Sequence, residues 1–254
     1  MENETNLFVL ERYNKIIDYL KDKGRATVNE LSDYLFVSPA TIRRDLSAMQ
    51  KLGMLKRTHG GAIYVEAGSE VSMYVRMESD GEEKGKAAEA ALSHLPEFTS
   101  VFIDNSSTCL VLAERMDLSF KTVVTNGLQL ASKLANKKNV NVILLGGSLT
   151  HNSGATNGGI TISQLNAFRF DLMLMGAAAV SKDGSYERSI ETADTKMAAF
   201  QRSDKRILVI GGGKFALKAP YRVADLSAFD AICTDAPSSV IAPLKEAGIK
   251  IFNR

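Results

Sequence analysis

The sequence predicts an α/β protein in two parts: a small N-terminal domain of helices and a β-hairpin, then a larger domain built on a mostly parallel sheet. Three observations support this prediction. Helix-capping patterns and a Gly-Gly pair lie within the first 64 residues, short apolar runs alternate with helical stretches from residue 83 onwards, and the segment between them has no clear periodicity. We predict domains at 1–64 and 83–254, joined by a linker at 65–82.

The composition is ordinary for a soluble globular protein. The 254 residues are 45% hydrophobic and 24% charged, and no apolar run approaches the roughly 20 residues that a membrane span requires. Residues 1–10 show no basic segment followed by an apolar run, so no secretory signal is expected. Cys109 and Cys233 are isolated and lack metal-site spacing, and we expect buried thiols in a reducing cytoplasm.

Local patterns predict three helices in the N-terminal part. The first has apolar residues at three- and four-residue spacing and ends at Gly24. Thr27 and Glu30 have the spacing of a capping box, which opens a short second helix. Ser38 and Pro39 supply the N-cap and the first-turn proline of the third.

The third helix has two faces of opposite chemistry. Ile42, Leu46, Met49 and Leu52 fall within one apolar arc, and Asp45 at its border is expected to pair with a neighbouring helix. The other pole and its flanks hold small, hydroxyl and basic residues: Ala40, Thr41, Arg43, Arg44, Ser47 and Lys51. Arginine can form a fork onto guanine, whereas serine and threonine more often contact phosphates.

Gly60 and Gly61 stand between two short strand-like runs and predict a hairpin. Helices, turn, helix and hairpin in this order predict a winged helix-turn-helix, which lays one helix in the major groove of DNA. Residues 37–64 carry five basic side chains and one acidic one, whereas 65–254 carry 21 of each, so the positive charge lies where the motif lies. The alternative is a small helical domain with a solvated basic face. We predict contacts to operator DNA from Ser38, Ala40, Thr41, Arg43, Arg44, Ser47, Lys51, Arg57, His59 and Gly60.

In the larger part, strands alternate with helices. Apolar runs predict strands at 101–104, 122–125, 140–145, 171–175, 206–210, 231–234 and 250–252. Helical stretches stand at 84–92, 110–116, 128–136, 162–167, 193–202 and 239–247. This alternation predicts a mostly parallel sheet covered on both faces, in which ligands bind beyond the carboxyl ends of the strands.

Four turns rich in small polar residues follow predicted strands. The turn at 104–108 opens a helix, whose hydroxyl and N–H groups can hold a phosphate at the positive helix end. Similar turns stand at 125–127 and 146–148, and in the turn at 211–214 a lysine can neutralise a phosphate. We predict effector binding by Asp104, Ser106, Ser107, Thr108, Thr125, Asn126, Gly127, Gly146, Gly147 and Lys214.

Three motifs in the N-terminal part resemble those of the DeoR-type bacterial transcriptional regulators. The pattern R-x3-I-x3-L at 12–20 is followed, after 17 residues, by S-x2-TIRRDL at 38–46, and R-x-HGG at 57–61 is similar to the wing of that family. The resemblance continues more loosely to the C-terminus. It departs at Ser106, where the family usually has glycine, and at Gly211, where the family usually has an acid.

This resemblance implies a function and a second fold. Members of the family usually repress operons for sugar uptake and catabolism, a phosphorylated sugar typically relieves repression, and the chains form homo-oligomers, here a dimer or a tetramer. The second domain also resembles the sugar-phosphate isomerase fold, related to ribose-5-phosphate isomerase. The absence of an acid at Gly211 removes a charge from the expected pocket and leaves the preferred ligand open.

Two other functions stay open at this point. An isomerase-like enzyme fused to a DNA-binding domain would use Asp104, Glu187, Glu191 or Lys214 as general acid or base. These residues form no recognised catalytic constellation, so we expect no enzyme and no cofactor. An architectural DNA-binding protein without a ligand is the third possibility, and it predicts that no sugar phosphate changes operator affinity.

Overall fold

The structure of the chain is a computed structural model that describes residues 2–51, 55–64, 73–78, 80–150 and 153–254. The chain divides into two compact units, Met1–Val71 and Ser72–Arg254. Each unit has its own hydrophobic core. The two are therefore described separately.

The N-terminal unit is a winged helix-turn-helix, as predicted. Its elements are α1 (Glu2–Lys23), β1 (Arg25–Thr27), α2 (Val28–Leu35), α3 (Pro39–Lys51), β2 (Leu55–Thr58) and β3 (Gly61–Tyr64). The central strand β3 pairs antiparallel with both β1 and β2. The three-residue strand β1 was not predicted, because three residues are too few to show an alternating pattern. The helices bury Ile16, Leu20, Leu31, Ile42, Leu46 and Met49 completely.

The predicted caps form as expected. The Thr27 hydroxyl accepts a hydrogen bond from the Glu30 N–H at 3.1 Å, and the Glu30 carboxylate accepts one from the Thr27 N–H at 2.6 Å. Ser38 caps α3 by accepting from the Thr41 N–H at 3.1 Å. Asp45 is buried and bonds the Arg12 guanidinium of α1 through both carboxylate oxygens, at 2.5 and 3.0 Å. The expected pairing of Asp45 with a neighbouring helix is confirmed.

The C-terminal unit alternates strands and helices. In chain order its elements are α4 (Met73–Glu78), α5 (Gly81–Leu92), β4 (Ser100–Ile103), α6 (Ser107–Arg115), β5 (Thr122–Thr125), α7 (Leu128–Leu134), β6 (Asn141–Leu144), β7 (Ser148–Thr150), β8 (Ala155–Asn157), α8 (Gly159–Leu165), β9 (Phe170–Met175), β10 (Ala179–Ser181), β11 (Gly184–Glu187), α9 (Ile190–Gln201), β12 (Ser203–Ile210), β13 (Tyr221–Ala224), β14 (Ala231–Thr234), α10 (Ser238–Glu246) and β15 (Ile251–Asn253). Short 3-10 helices lie at Gly212–Ala216 and Leu226–Ala228.

Seven of these strands form one parallel sheet in the order β15-β14-β12-β9-β4-β5-β6. They are the seven predicted strands, with bounds displaced by at most three residues. Neighbouring residues of one strand enter opposite cores: Val101 lies in the core under α5, α6 and α7, and Phe102 in the core under α8, α9 and α10. Both faces of the sheet are therefore covered, as continuous apolar strands require.

The strand order places a topological switch point between β4 and β9. From β4 the chain proceeds outward through β5 to β6, returns to β9 on the other side of β4, and continues to β12, β14 and β15. The loops after β4 and β9 therefore leave the sheet in opposite directions and open a crevice at its carboxyl edge. Of the four predicted turns, the one at 104–108 follows a strand that borders this switch point.

Some predictions fail at the level of local structure. Residues 73–78 are helical, and Met73 is buried in the C-terminal core, so the linker prediction is wrong for them. Residues 65–72 and 79 of the predicted linker lie outside the described residues. The hairpin β7-β8 and the small sheet β10-β11-β13 were not predicted, because their strands have three or four residues and little apolar patterning.

Candidate DNA-binding surface and effector site

The predicted DNA-binding residues of α3 lie opposite its buried face. Arg43 and Arg44 are exposed, as are Ser38 and Ala40 at the start of the helix, and Thr41 is half-buried. Because the apolar side of α3 is completely buried against the other helices, the orientation of this basic surface is determined by packing. Lys51 ends the helix, and its side chain lies outside the described part of the structure.

The wing brings the other predicted residues beside α3. His59 and Gly60 form the exposed turn between β2 and β3. Arg57 and Ser47, both predicted to contact DNA, are instead bonded to each other, since the Arg57 guanidinium donates to the Ser47 hydroxyl at 2.8 Å. Gln50, which was not predicted, accepts a hydrogen bond from the Arg57 backbone N–H at 2.7 Å.

In the C-terminal unit, Asp104 occupies the switch point. It follows β4, and its Oδ2 accepts a hydrogen bond from the N–H of Gly176, which follows β9, at 3.0 Å. Ser106 caps α6 by accepting from the Cys109 N–H at 3.3 Å. A Cβ at position 176 would lie 2.4 Å from the Ser106 Oγ, so glycine is needed there. The start of α6 therefore lies at the crevice.

Lys196 binds two acids at this point. Its Nζ lies 2.7 Å from Asp104 Oδ2 and 2.5 Å from Glu187 Oε1, and it donates to the carbonyl oxygen of Gly176 at 2.9 Å. Burial alone would lower the pKa of Lys196, but the two carboxylates outweigh it and raise that pKa. The other oxygen of Asp104, Oδ1, is buried and has no hydrogen-bond partner among the described residues.

Cations gather beside this ion cluster. Lys214 follows β12 in a 3-10 helix, and its pKa is lowered by desolvation and by the positive charges of Arg76 and Arg188. Arg76 also donates to the carbonyl oxygen of Asn105 at 3.4 Å, which brings α4 to the end of β4. Lys84 donates to the carbonyl oxygen of Arg76, and desolvation lowers the pKa of Lys84 to about 8. The crevice therefore combines positive charge with partial burial.

The turns after β5 and β6 are occupied by contacts within the fold. The Thr125 hydroxyl accepts from the Gly127 N–H at 3.0 Å, and Asn126 donates to the carbonyl oxygen of Thr156 on β8 at 3.0 Å. The turn after β6 is joined to α8, because the Gly146 N–H donates to the Gln164 side chain. The same turn approaches α8 closely at Gly147, where a Cβ would lie 2.1 Å from the Thr161 hydroxyl oxygen. The hairpin β7-β8 thus lies over these two strand ends. Their role in effector binding stays a prediction.

Two of the remaining predicted residues are buried in the first turn of α6. Ser107 and Thr108 are each only 6% exposed. Sequence reasoning missed Arg76, Gly176, Arg188 and Lys196, which come from four separate segments. Arg76 fell in the predicted linker, and Lys196 stands in a helix without a local motif, so neither carried a signal.

Acids from other elements surround Gly211. A Cβ at that position would lie 3.5 Å from the Glu83 carboxylate of α5 and 3.8 Å from that of Asp235, and Asp235 also accepts from the Gly212 N–H at 2.6 Å. Desolvation and the charges of Asp235 and Asp80 raise the pKa of Glu83. Negative charge near the last turn is therefore present although residue 211 is glycine.

Comparison with known proteins identifies the family. The family model described as the DeoR-like helix-turn-helix domain matches residues 12–67, and the model of the DeoR C terminal sensor domain matches residues 79–236. The chain belongs to the DeoR family. It is a DNA-binding transcriptional regulator, which confirms the resemblance stated from its motifs.

Curated relatives of this DeoR-family chain align along most of their length. The glycerol-3-phosphate regulon repressor of Escherichia coli is 32% identical over 232 residues, 91% of this chain and 92% of the relative. The L-fucose operon activator of the same species is 29% identical over 229 residues, which are 88% of this chain and 94% of the relative. A solved ribose 5 phosphate isomerase A from Neisseria gonorrhoeae aligns over 52% of each chain with 18% identity and a TM-score of 0.37, a similarity too low to support an argument.

Among the described residues, every helix is too short or too polar to cross a bilayer. Nor do these residues bring three or more His, Cys, Asp or Glu side chains together in a way that would hold a metal ion. Cys109 and Cys233 are free and buried.

Proposed function

We propose that this regulator binds a phosphorylated sugar or polyol at the switch point of its C-terminal sheet and that the ligand releases it from operator DNA. The observation that carries the proposal is a group of cationic side chains at the carboxyl edge of the sheet. Arg76 donates to the Asn105 carbonyl oxygen, Lys84 donates to the Arg76 carbonyl oxygen, and the charges of Arg76 and Arg188 act on Lys214. Positive charge that is partly removed from water has a strong preference for an anion, because the anion restores the lost solvation.

Hydroxyl groups fit the neighbouring part of the crevice. Asp104 Oδ1 is buried and has no nitrogen or oxygen donor among the described residues, and the neighbouring Cys109 thiol, whose pKa Asp104 helps to raise, is only a weak donor. We propose that a sugar hydroxyl donates to this carboxylate when the ligand binds. The names of the two curated relatives, which mention glycerol-3-phosphate and L-fucose, support a carbohydrate-related ligand for this chain as well.

On the DNA side, we propose that Arg43 and Arg44 read or clamp the operator, with Ser38 and Thr41 setting the register of α3. Both arginines are exposed near the start of the helix, where recognition helices contact base edges. Replacement of Arg44 by alanine should lower operator affinity by about 1–3 kcal/mol if it forms a bidentate base contact. Undiminished binding by the Arg43→Ala/Arg44→Ala double variant would overturn this assignment.

Repression is the proposed direction of control, and a homo-oligomer the proposed functional form. One of the relatives described above is named a repressor and the other an activator, so the family admits both directions. A ligand that releases the protein from DNA must bind the DNA-incompetent state more tightly, since equal affinity for both states shifts nothing. Paired recognition helices would read two operator half-sites, and the reducing cytoplasm that holds the DNA suits the two free thiols.

We also propose that the ligand is bound without turnover. Asp104 and Glu187 are both ion-paired with the buried ammonium of Lys196, so each carboxylate already has a partner inside the fold and is held in place by it. Incubation of the purified chain with sugar phosphates, followed by product analysis, should show no conversion. Conversion that disappears in Asp104→Ala would favour the isomerase-like alternative.

The central experiment is a calorimetric and thermal-shift panel of sugar and polyol phosphates, glycerol 3-phosphate included, set beside their unphosphorylated parents. At least one phosphate should bind and raise the melting temperature, and its parent should not. Lys214→Met should weaken binding by roughly 10-fold or more, as expected for a charge-assisted hydrogen bond worth about 1.5–3 kcal/mol. Lys218→Met, which changes an exposed lysine four residues away, serves as the matched control.

A further inference from the structure

We propose that Arg57, Ser47 and Gln50 are positioning residues that join the wing to the recognition helix, and that their contribution to DNA binding comes through this link. The inference rests on the proposed DNA-binding surface of α3 and the wing. It changes the role predicted for Ser47 and Arg57 from direct phosphate contacts to an internal connection. It also adds Gln50, for which the sequence carried no signal.

Two hydrogen bonds connect the strand to the helix. The backbone N–H of Arg57 on β2 donates to Gln50 Oε1 on α3 at 2.7 Å, and the Arg57 guanidinium donates through Nη1 to Ser47 Oγ at 2.8 Å. Ser47 and Gln50 lie three positions apart, so they are neighbours on one helix face. Main chain and side chain of a single strand residue are therefore both held by α3.

The one proton of the Ser47 hydroxyl is already used within the chain. Its hydroxyl has one proton, which it donates to the carbonyl oxygen of Arg43 one turn earlier at 2.7 Å, while its oxygen accepts from Arg57. A phosphate oxygen can only accept a hydrogen bond. Ser47 therefore has no proton to offer DNA in this arrangement.

The guanidinium of Arg57 is packed against the helix. Its Nε is buried and has no partner in the described part of the chain, and only Nη1 is seen to bond, to Ser47. An arginine that reached out to a phosphate would keep these donors in water. The buried Nε and the bond from Nη1 to Ser47 show that the side chain lies along α3, which places its charge beside the recognition helix.

The position of Arg57 makes this link effective. In the hairpin, Arg57 pairs with Ala62 and Thr58 pairs with Gly61, so the exposed turn at His59 and Gly60 begins two residues after the anchored one. Holding Arg57 therefore holds the tip of the wing relative to α3. The two DNA-contacting elements then meet the duplex already ordered, and binding avoids the entropy cost of immobilising the wing.

The test is a double-mutant cycle on the full-length chain with an operator duplex recovered by selection from random DNA. Ser47→Ala and Arg57→Ala should each weaken binding by roughly 3- to 10-fold, the range expected for freeing one or two ordered side chains. The double variant should bind about as well as Arg57→Ala alone, because either change breaks the same link. Ser47→Thr keeps the hydroxyl and should restore affinity, and Gln50→Ala should weaken binding with the Ser47 contact intact.

The salt dependence separates positioning from phosphate contact. Ser47→Ala should leave the slope of log affinity against log salt unchanged, and Arg57→Ala should change it no more than Arg25→Ala, which removes an exposed charge elsewhere in the unit. Two results together would show a direct phosphate contact and overturn the proposal. The affinity losses of the two single variants would multiply in the double variant, and Arg57→Ala alone would reduce the salt slope by about one. A wild-type chain that selects no duplex would contradict the DNA-binding surface itself, which is a separate outcome.

Discussion

Asp171 holds the amino-terminal ends of two central strands together. Its Oδ2 accepts hydrogen bonds from the Thr99 N–H at 2.7 Å, the Thr99 hydroxyl at 2.8 Å and the Ser100 N–H at 2.9 Å. The bonds from Thr99 and Ser100 lower the pKa of Asp171 to about 2, from an ordinary value of 3.8. At the opposite edge of the sheet from the crevice, this one carboxylate therefore links β4 and β9.

The direction of the Asp171 shift predicts a pH dependence. Because folding favours the ionised carboxylate, its contribution to stability is present above about pH 3.8 and is lost as pH falls towards 2. Asp171→Asn should lower the free energy of unfolding by about 1–2 kcal/mol near neutral pH, and the difference from wild type should shrink below pH 4. Urea unfolding across this range measures it, with the exposed Asp204→Asn as control. A difference independent of pH would contradict the assignment.

Lys84 predicts a second pH effect, in ligand binding. Its pKa of about 8 is lowered chiefly by desolvation, and Lys214 and Arg76 lower it further. A bound anion would favour the charged lysine, so binding should take up protons, and affinity should fall as pH rises from 7 to 9. Calorimetry with the phosphate found in the ligand panel measures this, and Lys84→Met should flatten the profile. If the affinity of the wild-type chain does not change between pH 7 and 9, the placement of the anion beside Lys84 is contradicted.

At the scale of elements, the wing depends on one of its two glycines. A Cβ on Gly61 would lie 1.9 Å from the Ala26 carbonyl oxygen, because β1 and β3 approach closely where Gly61 pairs with Thr27. A Cβ on Gly60 would meet nothing within 4 Å. The Gly-Gly pair that predicted a hairpin thus contains one glycine that the neighbouring strand requires, Gly61, and one with open space around it, Gly60.

These two positions form a matched test of the sheet. Gly61→Ala should destabilise the N-terminal unit by about 1–3 kcal/mol or more through forced separation of β1 and β3, and operator affinity should fall with it. Gly60→Ala should leave the stability of the unit nearly unchanged, because a Cβ there meets nothing within 4 Å. Thermal unfolding and hydrogen exchange of the β1–β3 amides measure the difference. Equal effects of the two substitutions would show that the close approach of β1 is not the cause.

At the scale of the whole molecule, the function requires coupling between the two sites. If the ligand lowers operator affinity by some factor, operator DNA must weaken ligand binding by the same factor, typically about 5–150-fold. Titration of the ligand into the chain with and without the selected duplex should give this equality, with an unselected duplex as control. If a saturating concentration of operator DNA leaves the ligand affinity unchanged, the architectural alternative is favoured.

Much of the architecture follows from patterns that neighbouring residues carry. Thr27 with Glu30, and Ser38 with Pro39, begin helices through contacts within one turn, and buried parallel strands appear as apolar runs because both their faces are covered. The recognition helix, the wing turn and the seven strands of the sheet were therefore predictable. The turn at Asp104 was predictable for the same reason, since it follows a strand and opens a helix, and its role in effector binding stays a prediction.

The composition of the sites depends on contacts between distant residues. Lys214, Arg76 and Arg188 come together, and Lys196 reaches Asp104, only because the strand order reverses between β4 and β9 and brings separate loops to one edge. In the N-terminal unit, the packing of β2 against α3 gives the Arg57 side chain a serine partner. Local sequence thus determines which elements form and where they can begin. Tertiary packing alone decides which charges meet and which hydrogen-bond donors are already used, because the energies of ion pairs and hydrogen bonds depend on the distance between groups in space.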